Sequence, residues 1–258
     1  MLQFLVLLLW PGKNYQNSTL KYFYRILFFI WFYKFRSKRD CMKILEVKKE
    51  IFDTPYPDLE EVSSRLDNIG PGVPVETLNW ESYRYKPEVS FNIAYSDKEI
   101  LLKYYVTEGY VKAEKTKSNQ MVCEDSCVEF FVSPADDGIY YNFEFNPIGT
   151  CLLGTGTCRA DSSPAPVIAI EGIRRKGSLG NSPFPERIGE YSWNITIAIS
   201  TEVFFRHRVG ELKGKTFRAN FYKCGDKLTH PHYLTWNPVE TGNPDYHRPE
   251  YFGMLRFV

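Results

Sequence analysis

Between Asp125 and Pro147 the sequence alternates apolar and polar residues twice, with a turn cluster between the two runs. The first run is Asp125-Ser126-Cys127-Val128-Glu129-Phe130-Phe131-Val132-Ser133-Pro134, and the second is Ile139-Tyr140-Tyr141-Asn142-Phe143-Glu144-Phe145-Asn146-Pro147. Ala135-Asp136-Asp137-Gly138 joins them, so the stretch predicts a β-hairpin. Successive side chains of a strand point to opposite faces. Val128, Phe130 and Val132 therefore point one way, with Glu129 on the other side. Tyr141, Phe143 and Phe145 face a core, and Tyr140, Asn142, Glu144 and Asn146 line the opposite face. An ordinary solvated sheet face carries Lys, Thr and Ser. This one offers carboxylates, amides and a phenol, which donate and accept hydrogen bonds as a polyhydroxylated ligand requires.

The chain has 258 residues, enough for one large β domain or two small ones. Its 18 Tyr and 19 Phe favour strands. A net charge of +1 gives no reason to expect nucleic acid or an acidic membrane surface as a partner. The cysteines, at 41, 123, 127, 151, 158 and 224, include no CxxC pair. Buried free thiols are the expectation, and the spacing identifies no metal ligands.

Residues 1–41 differ from the rest, with apolar runs at Met1–Trp10 and Tyr22–Phe35 and only Asp40 acidic. No basic region precedes the first run, as a signal peptide would need. Neither run reaches the roughly 20 apolar residues of a membrane span without a charge or a Pro-Gly break. Three readings stay open: translation starting at Met42, a membrane-associating leader, or an ordered part of the fold. A start at Met42 implies the cytoplasm, and a genuine leader implies membrane association. Residues 42–258 read as one domain of many short strands with a brief helix at Asp58–Leu66. Candidate strands include Val89–Tyr95, Glu99–Val106, Pro164–Arg175, Tyr191–Ser200, Lys215–Lys223 and Tyr251–Val258, while Ser178–Gly189 reads as loop. The fold class is all-β, an antiparallel sandwich with few short helices.

In order along the chain come D-S-C-V-E-F-F, Y-Y-N-F-E-F-N-P-I-G-T, W-N-I-T-I-A-I-S, F-R-A-N-F-Y-K, T-W-N-P and H-R-P-E-Y-F-G-M-L. From about Met42 to Val258 this series resembles the family-9-like carbohydrate-binding modules, part of a wider group of DOMON-like β-sandwiches. The resemblance implies a jelly-roll-like sandwich that binds sugars, often at chain ends, through aromatic platforms and hydrogen-bonding side chains. It also implies a place in polysaccharide catabolism, because such modules are commonly attached to polysaccharide-degrading enzymes; no catalytic domain is expected within these 258 residues. Structural calcium occurs in some relatives and is left open here, with no Asp-rich ligand loop beyond Asp136-Asp137.

A sugar needs a flat aromatic for its C–H face and paired donors and acceptors for its edge. Trp80 and Trp236 sit in loop-like, turn-rich segments and are the expected platforms, with packing over the sandwich end as the alternative. Trp193 shares the face of Ile195 and Ile197 and belongs to the core. Arg84, Glu129, Asn142, Glu144, Asn146, Arg218, Asn220 and Tyr222 are the polar candidates, with His247 a loop buttress or ligand contact. Arg218 paired across strands with Glu129 or Glu144 is the plainer alternative. His230-Pro231-His232 reads as hydrogen-bonding rather than metal-ligating. No catalytic residue is expected. The rival reading is a glycoside hydrolase using Glu129 and Glu144 as a carboxylate pair; against it, neither acid sits in an obviously apolar setting that would raise its pKa. Haem binding through Met121 or Met254 is a third reading, with no His paired to either in sequence. The expected function is non-catalytic recognition of a mono- or oligosaccharide of plant-polysaccharide type.

Overall fold

The computed structural model describes residues 42–258. Residues 1–41, and the readings of them as an untranslated segment or a leader, lie outside the described residues. Two sheets face one another across a core rich in aromatic rings. One sheet contains β6 (Cys127–Ser133), β7 (Tyr140–Phe145), β8 (Cys151–Gly156), β12 (Thr216–Cys224) and β14 (Gly253–Phe257). Its hydrogen-bonded order is β14-β12-β6-β7-β8. The other contains β4 (Glu88–Tyr95), β5 (Glu99–Ala113), β10 (Ile173–Gly177) and β11 (Phe184–Ser200), in the order β10-β11-β5-β4. These pairings are antiparallel. The exception is the first strand, β1 (Ile44–Lys49), which runs parallel to β14 through Ile44–Val47 and parallel to β4 through Lys48-Lys49. It stitches the edges of the two sheets together.

Period-two patterning fills the core. Val128, Phe130 and Val132 meet Tyr141, Phe143 and Phe145 there, and β11 contributes Trp193, Ile195, Ile197 and Ile199. Phe221 stacks on Phe91 with ring centroids 3.7 Å apart and on Phe130 at 5.0 Å. The helix α1 (Leu59–Asp67) is capped by Asp58, whose carboxylate accepts from the Glu60 N–H. It buries Val62 and Leu66 on Ala94, Leu101 and Ala198, on the outer face of the second sheet.

Two segments depart from expectation. β11 begins at Phe184, inside the stretch read as loop. Its pairing with β5 shifts register between Phe184 and Arg187 and again between Ile188 and Tyr191. Pro185 and Gly189, the residues that read as turn signals, fall at those irregularities, where a missing N–H or a φ of 153° is tolerated. The candidate strand Pro164–Arg175 is instead a two-residue strand, β9 (Ser163-Pro164), a short helix α2 (Val167–Glu171) and the start of β10. An apolar run this short has no period that separates strand from helix, and Pro166 and Gly172 bracket one turn of helix.

One end of the sandwich is closed by charge. Lys223 Nζ lies 2.8 Å from Glu108 Oε2, and both side chains are fully buried. Trp193 Nε1 donates to Glu108 Oε1 at 2.7 Å. Lys223 also reaches His232 Nε2 at 2.8 Å, so that nitrogen accepts and His232 is neutral; burial and the lysine hold its pKa well below the usual histidine value.

Candidate functional site

Alternation along the central hairpin places Glu129 and Glu144 on the outer face of the first sheet, directly opposite one another in register. That face is not open to water. The segments 78–85 and 226–252 fold across it and build a second apolar cluster from Trp80, Phe131, Tyr140, Tyr222, Tyr246 and Phe252. A pocket of about 160 Å³ remains between sheet and loops. Glu129, Glu144 and Cys224 form its floor, Cys123, Asp226, Tyr233 and Tyr246 its wall, and Arg159, Asp245 and His247 its rim. The volume is below the roughly 300–1,000 Å³ of drug-sized sites.

Burial sets the charge state of the floor. Glu144 is pushed up to about 7 by burial, opposed by the amide of Asn142, which donates to its Oε1 at 3.0 Å. Burial, reinforced by Glu144, drives Glu129 well above the ordinary carboxylate range, and its Oε1 accepts from the Cys224 thiol at 2.9 Å. Asp226 is raised by burial as well. The expectation that neither glutamate has an apolar setting is thus corrected: the covering loops supply one. Arg159 pairs with Asp245 at 2.9 Å on the rim. His247 exchanges a hydrogen bond with Tyr140 Oη at 2.7 Å, and burial brings its pKa down to about 4, so it is neutral at pH 7. The site offers carboxyls whose burial favours the protonated, donating form, the Asp245 carboxyl on the rim, and the partly exposed ring of Tyr233.

Of the residues singled out from sequence, Glu129, Glu144 and His247 line the pocket. Asn142 supports Glu144 from behind; it packs on Gly154, where an added Cβ would come within 2.5 Å of its Oδ1. Tyr222 lies beneath the wall, stacked on Tyr246 at 4.0 Å. The rest serve the scaffold. Asn146 donates to Lys115 O and Asp125 Oδ2 and accepts from Thr150 N. Asn220 ties β12 to Asn237 through both amide atoms. Arg218 donates to the carbonyls of Glu250 and Phe252, not to either glutamate. Arg84 is exposed and donates to Glu81 O.

Neither tryptophan lines the pocket. Trp236 is in the main core, edge-on to Phe221 at 5.5 Å and pressed on Gly253, where a Cβ would fall 2.5 Å from its ring. Trp80 is buried behind the wall; its Nε1 donates to Thr241 O, and its ring contacts Tyr233 and Tyr246 at 6.2 and 6.1 Å. The aromatic surfaces at the pocket are those two tyrosines. Sequence reasoning missed them, together with Arg159, Asp226 and Asp245. The available signal was their position beside residues already flagged, Tyr233 near Trp236 and Asp245-Tyr246 before His247.

In the Asp136-Asp137 turn, Asp137 Oδ1 accepts from Ile139 N and its Oδ2 lies 2.9 Å from His207 Nε2. His230 and His232 are linked by a hydrogen bond from the His232 Nδ1–H to the His230 carbonyl and gather no further metal ligand among the described residues. A larger, open groove of about 350 Å³ crosses β4, β5 and β11, lined by Ser90, Tyr105, Thr107, Ser192 and Asn194 with Glu88. It lacks converging carboxyls.

Comparison with known proteins gives a consistent family. Residues 66–257 match the sequence model of carbohydrate-binding family 9. A crystal structure of a candidate carbohydrate-binding protein from Bacteroides uniformis ATCC 8492 is 45% identical over 84% of this chain and 100% of its own, with a TM-score of 0.81. A family 9 carbohydrate-binding module from Caldicellulosiruptor kristjanssonii, solved with glucose, shares the fold at a TM-score of 0.54 and 10% identity, over 84% of this chain and 96% of that one. No curated protein matches the sequence.

Proposed function

The chain belongs to carbohydrate-binding family 9, and on that premise we propose that it is a non-catalytic sugar-binding protein whose site is the pocket between the β6–β7–β12 face and the loops 226–247. The observation that carries this reading is the composition of the pocket: Glu129, Glu144, Asp226 and Asp245 converge on a cavity sized for one ring, with Tyr233 and Tyr246 beside it. Hydroxyl groups are both donors and acceptors, so a ligand dense in them can satisfy buried carboxyls and a rim carboxylate at once. The aromatic faces cover its C–H groups. A chain end of a plant-type polysaccharide, or the monosaccharide itself, fits the volume better than an internal segment of a long chain. Association with polysaccharide-degrading enzymes follows from that substrate class.

A hydrolase reading draws on Glu144, which at about 7 has the proton affinity of a general acid. The partner decides against it. Glycoside hydrolysis needs a second carboxylate that is ionised, as nucleophile or base, and burial together with the neighbouring Glu144 holds Glu129 well above the ordinary carboxylate range, which disfavours its ionised form. Calorimetric titration against a panel of mono- and oligosaccharides tests the proposal. One site per chain at millimolar affinity or better is expected, with no release of reducing ends. Absence of heat for every sugar at millimolar concentration overturns binding, and reducing-end release abolished by Glu144→Gln overturns the non-catalytic assignment.

A further inference from the structure

We propose that Cys127, Glu129 and Cys224 form a binding site for a thiophilic divalent cation of the zinc class, set in the pocket floor. The site rests on its own geometry and stands whether or not a sugar binds above it. Cys127 and Cys224 face one another in register across β6 and β12. Glu129 is two residues along β6 and therefore on the same face. Both Sγ atoms and a carboxylate oxygen lie within 4.8 Å of one another, and all three residues are buried. A tetrahedral zinc with bonds of about 2.3 Å to sulfur and 2.0 Å to oxygen spaces its ligands roughly 3.3–3.8 Å apart. The 4.8 Å bound on the present spacing exceeds that by about an ångström.

The ligand chemistry chooses the metal. Two thiolates and one carboxylate suit Zn²⁺ or its soft analogues, whereas Ca²⁺ and Mg²⁺ demand oxygen shells. Both thiols are free. Cys224 and Glu129 line the pocket, which gives an ion its way in and leaves the fourth coordination position facing the cavity. Among the described residues Glu129, Glu144 and Asp226 form no ion pair, and the nearby cations are engaged elsewhere: Arg159 by Asp245, and the buried Lys223, whose Nζ also donates to the Cys224 carbonyl, by Glu108. On binding, each S–H bond is replaced by a sulfur–metal bond and the Glu129 O–H bond by an oxygen–metal bond, and the displaced protons leave to solvent.

The test uses the full chain, reduced and stripped of metal with a chelator, titrated with Cd²⁺ and with Co²⁺. One equivalent should produce a thiolate-to-cadmium charge-transfer band, and cobalt should give the intense visible bands of tetrahedral coordination. Both signals should be lost in Cys127→Ser and Cys224→Ser and retained in Cys158→Ser. Because a buried Ser variant can fail to fold, alkylation of the unmodified protein gives an independent readout. In urea just below the unfolding midpoint, where the buried thiols become reachable, Zn²⁺ should slow alkylation of Cys127 and Cys224 and leave the exposed Cys158 as reactive as before. No band in a protein whose thiols titrate as free overturns the proposal. So does cadmium binding that persists in both Ser variants, or zinc that protects neither cysteine.

Discussion

Lys223→Met removes the cation that pairs with Glu108 at the buried end of the sandwich. Glu108 keeps the Trp193 Nε1 hydrogen bond at 2.7 Å but loses the ammonium 2.8 Å from its other oxygen. Both partners are fully buried, so water does not replace the lost charge. His232 Nε2 and the Cys224 carbonyl lose their donor in the same step. Breaking a buried pair from one side costs about 3–5 kcal/mol, most of it the uncompensated charge left behind. Against a total stability of roughly 5–15 kcal/mol for a domain, that is a large fraction. The assay is urea unfolding of Lys223→Met, Glu108→Gln and the double variant. Lys223→Met should lose about 3–5 kcal/mol. The double variant should lose less than the sum of the singles, because it leaves no orphaned charge. Strict additivity, or a loss under about 1 kcal/mol for Lys223→Met, would refute the reasoning that this pair locks the two sheets.

Other expectations concern the site and its support. Tyr233→Ala should weaken sugar binding roughly tenfold by removing the exposed ring face, about 1.5 kcal/mol, with little change in melting temperature; calorimetry and thermal unfolding on one sample decide it. Trp236→Phe should do the reverse, lowering stability through a core void while sugar affinity stays unchanged, since Trp236 packs between Phe91, Phe221 and Gly253. Gly253→Ala should cost about 1–3 kcal/mol, because its Cβ would meet the Trp236 ring at 2.5 Å and the Lys43 carbonyl at 2.7 Å; an unchanged melting temperature contradicts the packing. His247 is neutral in the fold, with a pKa depressed from 6.5 to about 4. The unfolded chain therefore takes up the proton first. Stability is fully present above pH 6.5 and falls as pH drops toward 4, by up to about 3 kcal/mol. Unfolding of wild type and His247→Gln across that range should differ by that slope; parallel curves refute it.

The alternation of residues 127–145 was enough to assign both faces of the hairpin, because strand periodicity is local and Val128, Phe130, Phe143 and Phe145 have no other way to share a core. The same alternation could not say that the polar face would be covered. That depends on Tyr233, Tyr246 and Phe252, nearly a hundred residues away in sequence. Trp236 was misread for a related reason. Its neighbours Asn237 and Pro238 look like a loop, but its burial is set by Gly253 and Phe91, which only the sheet topology brings near. Glu129 and Glu144 were found because they sit on a regular strand. Asp226, Arg159 and Asp245 were not, because they sit on turns whose direction the sequence pattern does not encode.

A crystal structure of the chain with a bound monosaccharide tests the central claim most directly. The account predicts the sugar in the pocket above Glu129 and Glu144, its ring against Tyr233 and its hydroxyls on Asp226 and Asp245. A sugar seated instead in the groove across β4, β5 and β11, or against Arg84, would contradict it.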